Sequence, residues 1–232
     1  MPKSIHDGHR KRLRQEVMHN GFDENTPPHK VLEFLLFYCI SRKDTNPIAH
    51  ALISRFGSIS GVLDASVEEL VKVEGINESS ALLLKSIMPV ARIYINEKSN
   101  ISKNFKALDE IGNFALKKYI GITVERAGIV SLDGNGKLLG FDFISEGDIS
   151  SVGLSFRTVL SKLIERNATV AVLVHNHPSG IAVPTDEDMA ITESLAEVLR
   201  NVGIFLADHI VLGVGDFVSM AQSKKYSHIF TR

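Results

Sequence analysis

His175-Asn176-His177-Pro178-Ser179-Gly180, with Thr185 and Asp188 beyond it, is the stretch of this sequence best equipped for chemistry. The two histidines are two residues apart, and the carboxylate stands eleven positions after the second. Two imidazoles and one carboxylate make the donor set of a catalytic zinc site. Such a site leaves a coordination position open, whereas structural zinc sites close all four with protein groups. Mn²⁺ and Fe²⁺ accept the same donors.

For these side chains to meet, the elements around them must converge. Residues 169–174 are continuously β-branched and apolar, which predicts a buried strand. His175 and His177 follow at its end, on one side of an extended backbone, while Asn176 points the other way. Pro178 favours extended backbone at His177, and Gly180 lets the loop turn. Thr185 is placed to cap a helix over 186–202, closed by Gly203. Asp188 falls in that helix's first turn, where the dipole favours a carboxylate. Two plainer arrangements use the same residues: a polar strand end, and a Thr185–Asp188 capping box.

Further strands are expected over 126–132, 137–145, 205–212 and 217–220, with Asp133-Gly134-Asn135-Gly136 as a hairpin turn. Helices are expected over 107–119 and 155–166. The first hundred residues read differently, as helices over 9–19, 29–40, 48–56 and from 78 into the nineties. Asn46-Pro47 reads as an N-cap followed by proline, Ser66 with Glu69 as a capping box, and Pro89 as a kink. Residues 97–104 are polar and without periodicity. The chain is therefore read as an all-helical domain over 1–96, a linker over 97–104 and an α/β domain over 105–232.

At 232 residues, 44% hydrophobic and 23% charged, the chain has the composition of an ordinary soluble protein. Its formal net charge of −1 argues against bulk electrostatic binding of nucleic acid. The single cysteine, Cys39, excludes an internal disulfide and a cysteine-type zinc site, and its apolar surroundings predict burial. The polar, basic N-terminus has no signal-peptide core, and no apolar run is long enough to span a membrane. A cytoplasmic location is expected.

His175-x-His177, then Thr185 and Asp188, resembles the metalloprotease motif of JAB/MPN (JAMM) domains, and the wider His-Asn-His-Pro-Ser-Gly string resembles the RadC proteins. Leu206-Ala207-Asp208-His209-Ile210 is similar to that family's Leu-Asp-His segment. Arg55-Phe56-Gly57-Ser58, Asp64-Ala65-Ser66 with Glu69-Leu70, and Gly75-Ile76 are similar to its N-terminal helical domain. The resemblance implies an α+β chain: a helix-hairpin-helix-like all-α domain, then a cytidine-deaminase-like JAB/MPN domain with a mixed sheet. It also implies a catalytic glutamate before the strand that ends in Leu132-Asp133. Glu125 matches that position, and Glu146 is its competitor. Two departures stand out. Thr185 replaces the usual serine but keeps the hydroxyl and caps a helix well. Gly153-Leu154-Ser155-Phe156-Arg157 lacks the family's His-Pro-Arg-Glu run and keeps only Arg157.

What the resemblance implies chemically is a Zn²⁺-dependent hydrolase of peptide or isopeptide bonds. Zn²⁺ on His175, His177 and Asp188 lowers the pKa of a water from ~15.7 towards ~7. Glu125 takes the proton and passes it to the leaving amine. The Thr185 hydroxyl or a backbone N–H stabilises the oxyanion, and Asp208-His209 either orients the ligands or forms a buried structural pair.

The rival expectation is a DNA-associated repair or recombination module whose metal domain is an interaction platform or a nuclease-like site. Val73-Glu74-Gly75-Ile76-Asn77 resembles a helix-hairpin-helix hairpin, with Asn77 where the second glycine stands. Asparagine tolerates a left-handed turn, but Glu74 and Glu78 oppose a phosphate, so any DNA binding there is expected to be weak. Residues 1–14 carry a net +4 and offer a second basic element. Against a nuclease, one metal with one carboxylate suits phosphodiester cleavage less than a two-metal carboxylate site does.

Overall fold

A computed structural model describes residues 8–41, 43–99, 104–146 and 155–231. Lys3, His6 and Asp7 of the basic N-terminus, residues 100–103 of the expected linker and Gly153-Leu154 lie outside the described residues. Two compact units meet between Ala91 and Arg92. That division falls inside a helix and a little before the polar stretch where the sequence suggested a boundary.

The first unit is helical: α1 (His9–Asn20), α2 (Pro28–Leu36), α3 (Asn46–Phe56), α4 (Ile59–Asp64), α5 (Val67–Leu70) and the first part of α6 (Glu78–Ser99). Its core gathers Leu32, Leu36, Leu52, Leu70 and Leu84, all fully buried. α2 ends at Leu36, so the expected helix over 29–40 finishes in turns. Cys39 is only partly buried, with Sγ 3.9 Å from the Ser79 carbonyl, where full burial was expected. Asn46 is not the cap of α3. That place belongs to Thr45, because the Asn46 amide donates instead to the buried Glu33 carboxylate at 2.9 Å.

Asn77 also differs from expectation. Among the described residues only Asn167 combines a side chain with positive φ. Asn77 is no left-handed turn residue; it caps the start of α6. Its Oδ1 accepts from the Ser80 N–H at 2.9 Å, and its own N–H donates to Ser80 Oγ at 2.9 Å. The Ile76 N–H donates to the Val73 carbonyl at 3.0 Å. Two N–H groups that a phosphate-binding hairpin would present are thus already engaged within the chain.

The second unit contains α7 (Leu108–Lys118), β1 (Arg126–Leu132), β2 (Leu138–Glu146), α8 (Phe156–Glu165), β3 (Val170–Asn176), α9 (Asp186–Asn201), β4 (Phe205–Leu212) and β5 (Phe217–Ser219), closing on a 3₁₀ turn at Ser227–Phe230. The sheet order is β2-β1-β3-β4-β5. Only β3 and β4 run parallel, joined through α9, so the sheet is mixed. Alternation sorts the strand residues into two cores, with an extra residue at Ala207 switching the face of β4 between Leu206 and Ile210. Ile129, Ala171, Leu173 and Leu206 pack with α8 and α9, while Val130, Val172, Val174 and Ile210 pack with α7. His175 continues the Ala171–Leu173 face, so it points toward α9.

Gly128 sits where β1 lies under an aromatic cluster. A Cβ there would stand 2.6 Å from Phe141 Cζ and 2.9 Å from the Tyr119 hydroxyl. That hydroxyl donates to the Val174 carbonyl at 3.1 Å, one residue before His175. Gly128→Ala is expected to cost about 1–3 kcal/mol through overpacking, visible as a lower urea midpoint at unchanged slope. A midpoint equal to that of the unsubstituted protein would refute the clash.

Candidate metal centre

β3 brings His175 to the end of the sheet fully buried, and His177 follows where the strand opens into the loop. α9 brings Asp188. Thr185 caps this helix in a complete capping box. Its Oγ1 accepts from the Asp188 N–H at 3.1 Å, and Asp188 Oδ2 accepts from the Thr185 N–H at 2.8 Å. Thr185 Oγ1 also lies 2.8 Å from Asp188 Oδ2. A capping box and a metal ligand were alternatives in the sequence; here the capping box aims the same carboxylate at the histidines.

The donor atoms converge. His175 Nε2 lies 2.8 Å from His177 Nε2 and 3.1 Å from Asp188 Oδ1, and His177 Nε2 lies 3.5 Å from Asp188 Oδ2. One ligand atom from each residue falls within 4.8 Å of the others. A tetrahedral ion with bonds of ~2.0–2.1 Å sets its donors about 3.3 Å apart, and the observed separations bracket that edge.

The outer nitrogens decide the protons. His177 Nδ1 donates to the Ile181 carbonyl at 3.0 Å, which leaves Nε2 as a lone pair. His175 Nδ1 lies 2.8 Å from His209 Nε2, and His209 Nδ1 lies 2.6 Å from Thr192 Oγ1, which donates to the Asp188 carbonyl. One assignment satisfies every member: His175 donates to His209, His209 to Thr192, and Thr192 to Asp188. Burial, then the charge of His175, holds His209 well below the ordinary imidazole range, so it is the neutral ring this chain of donors needs. Burial would raise the Asp188 carboxyl, but the His175 hydrogen bond and charge outweigh it and hold it well below its usual range. On that assignment both Nε2 lone pairs and a carboxylate oxygen face one point, and their repulsion is relieved either by a proton shared between His175 and Asp188 or by a cation held by all three.

The Leu-Asp-His segment separates into two tasks. His209 supports His175, while Asp208 turns elsewhere. Its oxygens accept from Ser219 Oγ at 2.5 Å, from the Ala221 N–H at 2.8 Å and from the His209 N–H at 2.7 Å. Burial pushes its carboxyl up to about 6 against these donors. Thr192 went unseen in the sequence. Its one signal is a polar residue four positions after Asp188, on the helix face that is otherwise apolar. Thr192→Val should leave the fold intact and weaken metal binding about 10–100-fold, the usual effect of losing such outer support. Unchanged affinity in a competition titration would remove Thr192 from this role.

Asn176 does point away from the other two residues, but it is not idle. Its Oδ1 accepts from the Arg126 N–H at 2.9 Å and its Nδ2 donates to the Val124 carbonyl at 3.0 Å. It thereby clasps the backbone on both sides of Glu125. Ala127 pairs with His175 across β1 and β3. Glu125 stands two residues before Ala127, immediately ahead of β1, at the end of the sheet where β3 delivers His175. Glu146 closes β2 at the same end of the sheet but one strand further out, where it pairs with Arg126 at 2.9 Å. Arg157 stands exposed in the first turn of α8.

Residues 105–226 match the family described as the RadC-like JAB domain. The chain is also 32% identical to UPF0758 protein FN0909 of Fusobacterium nucleatum, over 96% of this chain and 98% of that protein. Among the described residues no helix is long and apolar enough to cross a membrane.

Proposed function

Because this chain belongs to the RadC family, with the JAB domain in its second unit, we propose that it is a Zn²⁺-dependent hydrolase of peptide or isopeptide bonds. The observation that carries this reading is the meeting of His175 Nε2, His177 Nε2 and Asp188 Oδ1 at one point. Two nitrogens and one oxygen suit Zn²⁺, and three protein donors leave a position for water or substrate. A bound divalent ion supplies Lewis acidity to a carbonyl and makes a nearby water more acidic.

The chain's own groups do the rest. Glu125 takes the proton of the attacking water and delivers it to the leaving amine. Asn176 holds the backbone that carries Glu125. Thr185 keeps Asp188 in place, and because its Oγ1 already serves that carboxylate, a backbone N–H is the better donor for the oxyanion.

Metal analysis of the purified full-length protein is expected to give about one zinc per chain, by the ligand count of a single site. A mixed peptide library and a lysine-linked isopeptide should be cleaved, with cleavage stopped by dipicolinate and restored by Zn²⁺. Cleavage indifferent to chelation, or a protein that takes up no transition metal, would overturn the proposal.

A further inference from the structure

We infer that Val124, Ile181, Val183 and Val214 form an apolar rim that recognises aliphatic residues of an extended polypeptide on both sides of the scissile amide. The inference rests on the hydrolase reading and adds a substrate class to it. These side chains are 49%, 63%, 60% and 85% exposed. Single exposed aliphatics are ordinary on protein surfaces, but a group beside a reactive centre marks an interaction site.

Backbone hydrogen bonds fix the segments that carry these side chains next to the site. The loop from His177 to Thr185 begins and ends on site residues, and Ile181 and Val183 project from its middle. His177 Nδ1 donates to the Ile181 carbonyl at 3.0 Å, and the Gly180 N–H donates to the His177 carbonyl at 2.9 Å. Val214 joins from the turn after β4, where its N–H donates to the Gly180 carbonyl at 3.1 Å. Gly180 has φ +83°, and Val214 Cγ2 lies 3.0 Å from the position a Cβ would take there, so the turn closes only with glycine. On the other side, Val124 precedes Glu125, and the Asn176 amide holds its carbonyl. A chain laid across His177 and Glu125 must pass these four side chains. Hydrogen bonds already fix their backbone, so little ordering is needed on binding.

The charges nearby select the kind of polymer. From His177 to Leu199 there is no lysine or arginine, whereas Asp186 and Glu187 are exposed at the start of α9. A phosphodiester backbone would meet these carboxylates there, and Lys225, which reaches the same helix start, is already engaged with Asp186 at 3.5 Å. Branched aliphatic surfaces without an aromatic platform fit Val, Leu or Ile side chains rather than unstacked bases.

The test uses the metal-loaded full-length protein and two fluorescein-labelled decapeptides. One carries Val and Leu around its central amide, and the other carries Ser and Asn at those positions. Cleavage of the aliphatic peptide is expected to be favoured about tenfold or more in kcat/KM, the scale on which apolar pockets discriminate. Ile181→Ser/Val183→Ser/Val214→Ser should abolish the preference by raising KM, with kcat within about twofold and metal content unchanged, the mark of lost uniform binding. Val124→Ser alone should show a smaller loss of the same kind. Equal treatment of the two peptides, or a preference that survives the triple substitution, would overturn the rim. If neither peptide is cleaved, anisotropy decides. Rim-dependent binding of the aliphatic peptide sustains the inference while the hydrolase reading falls, and indifferent or absent binding ends both.

Discussion

Glu125→Gln is expected to reduce turnover about 10²–10⁴-fold, the usual worth of a positioned general base, with zinc content and melting temperature unchanged. The substitution keeps the side chain's size and its place just before β1, the strand paired with the one that carries His175. It removes only the capacity to take and return a proton. Glu146→Gln should do little by comparison, since Glu146 is 63% exposed and already paired with Arg126. The two variants therefore separate the carboxylates that the sequence left in competition. Single-turnover assays against a labelled peptide, read beside metal analysis, decide the matter. A fully active Glu125→Gln enzyme would transfer the base to another group. Loss of activity together with loss of zinc would make Glu125 a structural support of the site instead.

His175→Ala is expected to have the larger effect on metal occupancy. His175 makes the closest approaches among the three candidate ligands, at 2.8 and 3.1 Å, and it also joins the site to His209. Truncation removes one of three donors and leaves His209 Nε2, Asp188 and His177 facing a void. Zinc content should fall to background, and hydrolysis with it. Folding should persist, because the strand's apolar residues remain in their two cores. Circular dichroism together with metal analysis tests this. Full zinc occupancy in a folded His175→Ala protein would refute the assignment of this histidine as a ligand.

The elements around the site were readable because each obeys a local rule. β1 and β4 occupy the residues that alternation and β-branching mark, and α9 begins where Thr185 caps it. The convergence of His175, His177 and Asp188 was readable too, since strand end, turn and helix start leave the chain little freedom. Contacts that join elements far apart in sequence were not legible. Nothing in the spacing of Thr192 and His209 announces that they meet, and Asn176 could be given a direction but not a partner. In the helical unit two of the departures share a cause. Side chains expected to serve their own local turn were taken by more distant or reciprocal partners: Asn46 by the buried Glu33, and Asn77 by Ser80. A buried carboxylate such as Glu33 must be satisfied, and it draws the Asn46 amide away from the start of α3.

Asp188 serves the start of α9 with Oδ2 and faces the His175 imidazole with Oδ1. Release of an ion from this site therefore goes with fraying of a helix end. A first turn that opens briefly would lift the carboxylate from the imidazoles, while the strand bearing His175 stays buried. Exchange kinetics then follow the lifetime of a single capping interaction, and small changes at Thr185 would tune how long the ion resides without altering the sheet beneath it.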